Sequence, residues 1–187
     1  GGAGRCVAMA TSRPRPAGSR TGRLPTVTIR PIRELGDPVL RTPADEVRSF
    51  DKELAALVRD LEDTVADPGR AGVAAPQIGV GLRAFSYNVD GRIGHVVNPR
   101  IVELSEETQD GDEGCLSIPG LWAPTVRAMH AVVEGFDVHG EPIRLEGTGL
   151  MARALQHEVD HLDGKVFLDR LTGEARKTAL RALRDRG

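Results

Sequence analysis

The stretch QHEVDHLDG, residues 156–164, sets two histidines four apart with a glutamate beside the first. On an α-helix, residues i and i+4 share one face about a turn apart, so the rings of His157 and His161 can reach one cation. Glu158 is rotated off that line, which makes it a poor third ligand but a suitable base for a water held by the cation. Asp160 is close enough in sequence to orient a ligand from behind. The same pattern also fits a pair of solvated histidines on a charged helix, and these nine residues alone leave both readings open.

A third ligand decides between chemistries. The usual zinc endopeptidases add a glutamate on a second helix or a third histidine shortly downstream. After His161 the chain runs LDGKVFLDRLTGEARK, with no further histidine, and Glu174 lies beyond the helix break at Gly164. The remaining soft ligand in the body of the chain is Cys115, upstream in DEGCLSIPG, within a segment read as a polar loop. Its only companion, Cys6, is near the N-terminus, so there is no disulfide framework and a reducing compartment is the simpler inference. Taken singly, Cys115 also fits a buried, inert thiol. His95, His130 and His139 stand in strand-like or turn surroundings and read as structural or solvated.

Recurrent Leu54, Leu57, Val58, Leu61 and Val65 predict an amphipathic helix, capped near Ser49 or Asp51 and stopped by DPG at 67–69. A second helix is expected from Thr148 as N-cap to Gly164, with Leu150, Ala154, Leu155 and Val159 on its apolar side, so the histidines belong to a buried helix. TGEARKTALRALR reads as a basic surface helix packed by Ala179, Leu180 and Leu183. Between the first two helices, RAFSYNV, HVVNP, RIVEL, RAMHAVVEGFDV and EPIRLEG read as short strands. The fold class is α+β, with short antiparallel strands packed around a central metal-binding helix.

Length and composition bound the function further. The 187 residues, 40% of them hydrophobic, suffice for one core. Residues 1–26, rich in Gly, Ser, Pro and Arg and without an acidic residue, read as a disordered leader or added tail, a composition that also fits an organelle transit peptide. A catalytic domain is expected over 27–187. A net charge of -2 and 3% aromatic residues disfavour a nucleic-acid partner, and no apolar run is long enough for a bilayer.

Three motifs in order, RAGVAAPQ at 70–77, EGCLS at 113–117 and QHEVDHL at 156–162, extended by GDPVL at 36–40, resemble those of the peptide deformylase family over roughly residues 27–171. Three chemically distinct motifs in fixed order are far more specific than one. The family's first motif opens on Gly where this chain has Arg70. That side chain is expected near the mouth of the substrate cleft, pointing to solvent in preference to altering peptide choice.

The resemblance implies hydrolytic removal of the formyl group from N-terminal formyl-methionine of nascent polypeptides, releasing formate. It implies one divalent ion held by Cys115, His157 and His161, with Fe(II) as the native metal and Zn, Ni or Co able to occupy the site. Three protein ligands leave a fourth position open for water, as catalytic sites do. Glu158 would carry the proton from that water to the leaving amine. The Gln77 amide and the Leu116 backbone N–H would donate to the developing oxyanion.

Ala71 and Gly72 would border the peptide, and Leu150 and Ala154 would face the methionine pocket. Glu113 would anchor the segment presenting Cys115 or contact the substrate backbone. Trp122 would line the channel or pack elsewhere. The implied partners are formyl-Met nascent chains, with transient ribosome proximity and no membrane. The implied place is the bacterial cytoplasm, or an organelle if the leader is a transit peptide. Two other functions compete: a metalloprotease cutting internal peptide bonds, and a catalytically silent metal-binding protein. Retention of Glu158 argues against silence, since a binding protein has no need of the base.

Overall fold

The computed structural model describes residues 27–186; the leader read at 1–26 lies outside the described residues. Helix α1, Lys52–Ala66, forms on the expected apolar spacing, and the Asp51 carboxylate caps it by accepting from the Leu54 N–H at 3.0 Å. Such a cap is worth about 1 kcal/mol. The helix ends before Pro68 and Gly69, the latter at φ 92°. Arg70 turns back onto this end, donating from Nη1 to the Thr64 carbonyl at 3.0 Å and pairing with Asp67 at 3.2 Å. With its side chain only 18% exposed, it caps the helix C-terminus; the solvent-pointing reading is corrected.

Five antiparallel strands form the main sheet in the order β1-β2-β3-β6-β7: β1 Gly72–Ala74, β2 Ala84–Val89, β3 Arg92–Leu104, β6 His130–Phe136 and β7 Pro142–Thr148. HVVNP and RIVEL, read as separate strands, are one strand interrupted by irregular register between Val97 and Arg100, where Asn98 has φ 49° and Pro99 cannot donate to the ladder. Alternation along the strands serves two faces. Val73, Ala84 and Val97 pack with Leu54, Leu57 and Leu61 of α1. Their neighbours Ala74, Phe85 and Val96 pack with Leu155, Val159 and Leu162 of the second helix, α2, Leu150–Leu162.

Thr148 is the last residue of β7 and does not cap α2; Gly149, at φ 58°, turns the chain from strand into helix. Gly164, at φ 76°, follows the other end as expected. The segment read as a polar loop is a second, two-stranded sheet, β4 Thr108–Cys115 and β5 Ile118–Ala128, lying against α2. RAMHAVVEGFDV is therefore divided between β5 and β6. The last helix, α3, Gly173–Arg184, packs on β5 through Ala179, near Phe167, Leu171, Ile118 and Leu121, and leaves Leu180 41% exposed. Among the described residues no helix is long and apolar enough to cross a membrane.

Candidate metal centre and active site

The site lies where the β4–β5 hairpin meets α2. Cys115 ends β4 just before the turn at Leu116 and Ser117, while His157 and His161 stand one helical turn apart. Cys115 Sγ is 3.3 Å from His161 Nε2, the two Nε2 atoms are 3.1 Å apart, and one donor atom from each residue falls within 4.8 Å of the others. Two imidazole lone pairs face each other at this distance only with a cation or proton between them. Metal–nitrogen bonds of about 2.0–2.1 Å in a tetrahedral array separate two nitrogens by roughly 3.3 Å, so the donor set fits one divalent ion. Thiolate with imidazole suits zinc, iron and their neighbours better than a hard cation.

Burial pushes the Cys115 thiol up to about 12, with the charges of Glu158 and Glu113 adding to the effect. A bound cation reverses this preference, because it takes the thiolate and releases the proton. Burial holds His161 well below the ordinary imidazole value, so its ring is neutral and ready to ligate.

Behind the ligands is a buried ionic cluster. His157 Nδ1 lies 2.8 Å from Glu113 Oε2, which fixes the proton on Nδ1 and leaves the Nε2 lone pair for the ion. Glu113 is wholly buried and also accepts from Arg127 Nε at 3.0 Å, Arg127 Nη2 at 2.7 Å and Arg153 Nη1 at 2.8 Å. Sealed and fully engaged, it cannot meet a peptide, which corrects its placement among the substrate contacts in favour of the anchoring role. Burial pushes its carboxyl up, but hydrogen bonds from His157 and Arg127 and the charge of Arg127 prevail and hold it well below the usual range. Asp160 is likewise lowered: hydrogen bonds from Arg170 and Arg127 outweigh burial. It touches no ligand ring and orients at one remove. Because both folded carboxyls lie below their unfolded values, their stabilising contribution is present above the ordinary carboxylate range and is lost as pH falls through the folded values.

Gln77, wholly buried in the short 3-10 helix Ala75–Ile78, is pinned at both ends. Its Oε1 accepts from the Ala74 N–H at 3.0 Å, and its Nε2 donates to Ser117 Oγ at 3.1 Å and faces Cys115 Sγ at 3.7 Å. The donor end therefore points into the site. Glu158 is also wholly buried, yet neither of its oxygens has a partner. Burial, then the negative charge of Glu113, raises its pKa well above the usual value. Gly72 leaves room for it, since a Cβ there would stand 2.7 Å from Glu158 Oε2 and displace the carboxylate.

Ala71 and Ala154 meet in one apolar cluster with Val89, and Leu116, Leu150 and Met151 pack against it, so the residues assigned to the methionine pocket converge. Trp122 is 42% exposed and lies across Gly114 on the neighbouring strand. His95 is structural, held by Glu62 at 2.7 Å and accepting from the Val138 N–H at 2.9 Å. Arg127 and Arg153 escaped the sequence reading. The one usable signal was a charge at Arg153, one turn before His157 on a helix predicted to be buried.

Residues 29–177 match the family model of the polypeptide deformylases. A peptide deformylase of Acidothermus cellulolyticus is 60% identical over 85% of this chain and 88% of its own length. One of a Parafrankia species is 51% identical over 85% and 87%. Among solved structures, the peptide deformylase of Legionella pneumophila superposes with a TM-score of 0.77 at 41% identity, covering 84% of this chain and 95% of its own. That of Thermotoga maritima gives 0.74 at 36%, covering 78% and 99%. With this fold and these motifs, the chain belongs to the peptide deformylase family of metal-dependent enzymes.

Proposed function

We propose that this chain removes the formyl group from N-terminal formyl-methionine of nascent polypeptides and releases formate, with Cys115, His157 and His161 holding one divalent ion. The observation that carries the reading is Glu158, a sealed carboxylate with both oxygens unpartnered, set beside a Cys-His-His donor cluster. A carboxylate buried without partners costs several kcal/mol and is kept where chemistry uses it.

When bound, the ion supplies Lewis acidity and lowers the pKa of a water in reach of Glu158. Glu158 takes the proton of the attacking water at a carboxylate oxygen and delivers it to the methionine nitrogen as the C–N bond breaks. Its raised proton affinity suits the delivery. Gln77 Nε2 and the Leu116 backbone N–H donate to the formyl oxygen as negative charge develops there; one such pre-aimed donor is worth about 3 kcal/mol. Ala71 and Gly72 border the peptide backbone. Leu150 and Ala154 wall the methionine side chain, and Glu113 holds His157 in the ligating tautomer.

Fe(II) is the native ion in this reading, and Zn, Ni or Co fit the same donors. The enzyme works in the bacterial cytoplasm, transiently near ribosomes where formylated chains emerge, and residues 27–187 form its catalytic domain. The test is formate release from a formyl-Met tripeptide by protein purified without oxygen and loaded with nickel or cobalt, with the acetyl-Met peptide as control. Release from the formyl peptide alone is expected. A folded, metal-loaded protein that yields no formate would contradict the function, and cleavage of internal bonds would return the protease reading.

A further inference from the structure

The three ligands of the proposed centre belong to two separate bodies. Cys115 rides on the β4–β5 hairpin, and His157 and His161 ride on α2. Their spacing therefore depends on whatever locks hairpin to helix. Two arginines do so in opposite directions. Arg127 reaches from β5 to Asp160 of α2 at 2.7 Å, and Arg153 reaches from α2 back to the hairpin. Arg153 Nη1 donates both to Glu113 Oε1 of β4 and to the Thr125 carbonyl of β5, each at 2.8 Å.

Arg127 alone cannot fix the joint on the Glu113 side, because its fork onto Glu113 ties β5 to β4 within the hairpin. Arg153 shares a helix face with His157, four residues on, so Glu113 is gripped by two side chains from successive turns of α2: Arg153 at Oε1 and His157 at Oε2. The side chain is fully buried and its Nε has no partner. A buried guanidinium is a poor device for stability alone, since an apolar side chain of similar volume is often neutral or better there.

We propose that Arg153 is a positioning residue, setting the distance and orientation of Cys115 relative to His157 and His161 across the hairpin–helix joint. The inference rests on the proposed metal centre. Its loss loosens the joint, so the ion leaves faster and its coordination sphere is less uniform.

The experiment measures the rate at which Co(II)-loaded protein surrenders its ion to a chelator, followed through the cobalt d–d bands, for wild type, Arg153→Met and Arg153→Lys. Val65→Ala, which trims the core on the opposite face of the main sheet, is the control for general destabilisation. Arg153→Met is expected to lose cobalt on the order of 10-fold faster, with broadened bands, as for other groups that orient ligands from behind. Arg153→Lys keeps the charge and one donor but loses the second arm of the fork, and should lose cobalt about 3-fold faster than wild type, between the other two.

Wild-type rates and bands in Arg153→Met would overturn the inference, as would equal acceleration in Val65→Ala. Should the Met variant fail to fold, Arg153→Lys still decides, because a rate and spectrum unchanged from wild type, or matched by Val65→Ala, would overturn it. A wild-type chain that holds no cobalt would overturn the proposed centre itself. Failure of the variants to differ, in a wild type that binds cobalt and releases formate, counts against Arg153 alone.

Discussion

Helices α1 and α2 pack on opposite faces of one sheet, yet they keep different company. Of the fifteen residues of α1, six are buried, and all but Thr64 are apolar. Of the thirteen residues of α2, eleven are buried, including Arg153, Gln156, His157, Glu158, Asp160 and His161. The hairpin β4–β5 makes the difference, because it seals the face of α2 that on α1 meets solvent. Most polar groups caught there are matched: Gln156 by the Ala128 backbone, His157 by Glu113, Asp160 by Arg127 and Arg170. Glu158 is not. One helix thus illustrates burial for stability, and the other burial for a dry, pre-aimed reaction site in which charges act strongly.

The contrast predicts that substitutions on α2 damage turnover and those on α1 damage stability. The largest effect is expected from Glu158→Ala: formate release should fall about 10³–10⁴-fold while metal content, measured by emission spectrometry, stays near wild type. Gln77→Leu, at the α2 side of the sheet, should lower kcat/KM about 10²-fold with little change in metal content, through loss of an oxyanion donor. Leu61→Ala on α1 should leave kcat unchanged at temperatures where the protein is folded and cost about 2–5 kcal/mol of stability, read by denaturant unfolding. Smallest of all, Arg70→Gly should lower stability by under about 1 kcal/mol through its lost contacts at the end of α1, with kcat/KM for formyl peptides unchanged. A large kinetic defect in Arg70→Gly would put that side chain back at the cleft.

Legibility in the sequence followed the same division. Helix α1, its cap to within Ser49 or Asp51, and most main-sheet strands could be read because apolar period and turn residues determine them; the structure uses Asp51. The hairpin could not. Its inward positions on β4 are Gln109, Gly111, Glu113 and Cys115, chosen to meet the polar residues of α2, so the alternation of a half-buried strand is absent. Function had replaced the apolar signal by which strands are recognised. The candidate ligands Cys115, His157 and His161, with Glu158 and Gln77, were legible as candidates from residue type, spacing and motif order; the structure gathers the three donors and sets Gln77 against Cys115. Arg127, Arg153 and the turned-back Arg70 were not, because a charged side chain announces its partner only in three dimensions. Thr148 looked like a cap, but the strand-to-helix turn needed the positive φ that Gly149 adopts.

The most direct measurement of the central claim is a metal titration. Protein stripped with a chelator in the absence of oxygen is given increasing Co(II), and formate release from a formyl-Met peptide is followed. Activity absent from the stripped chain, rising in proportion to cobalt and levelling at one equivalent per chain, is the predicted result. Undiminished activity in the stripped chain would contradict a metal centre at Cys115, His157 and His161.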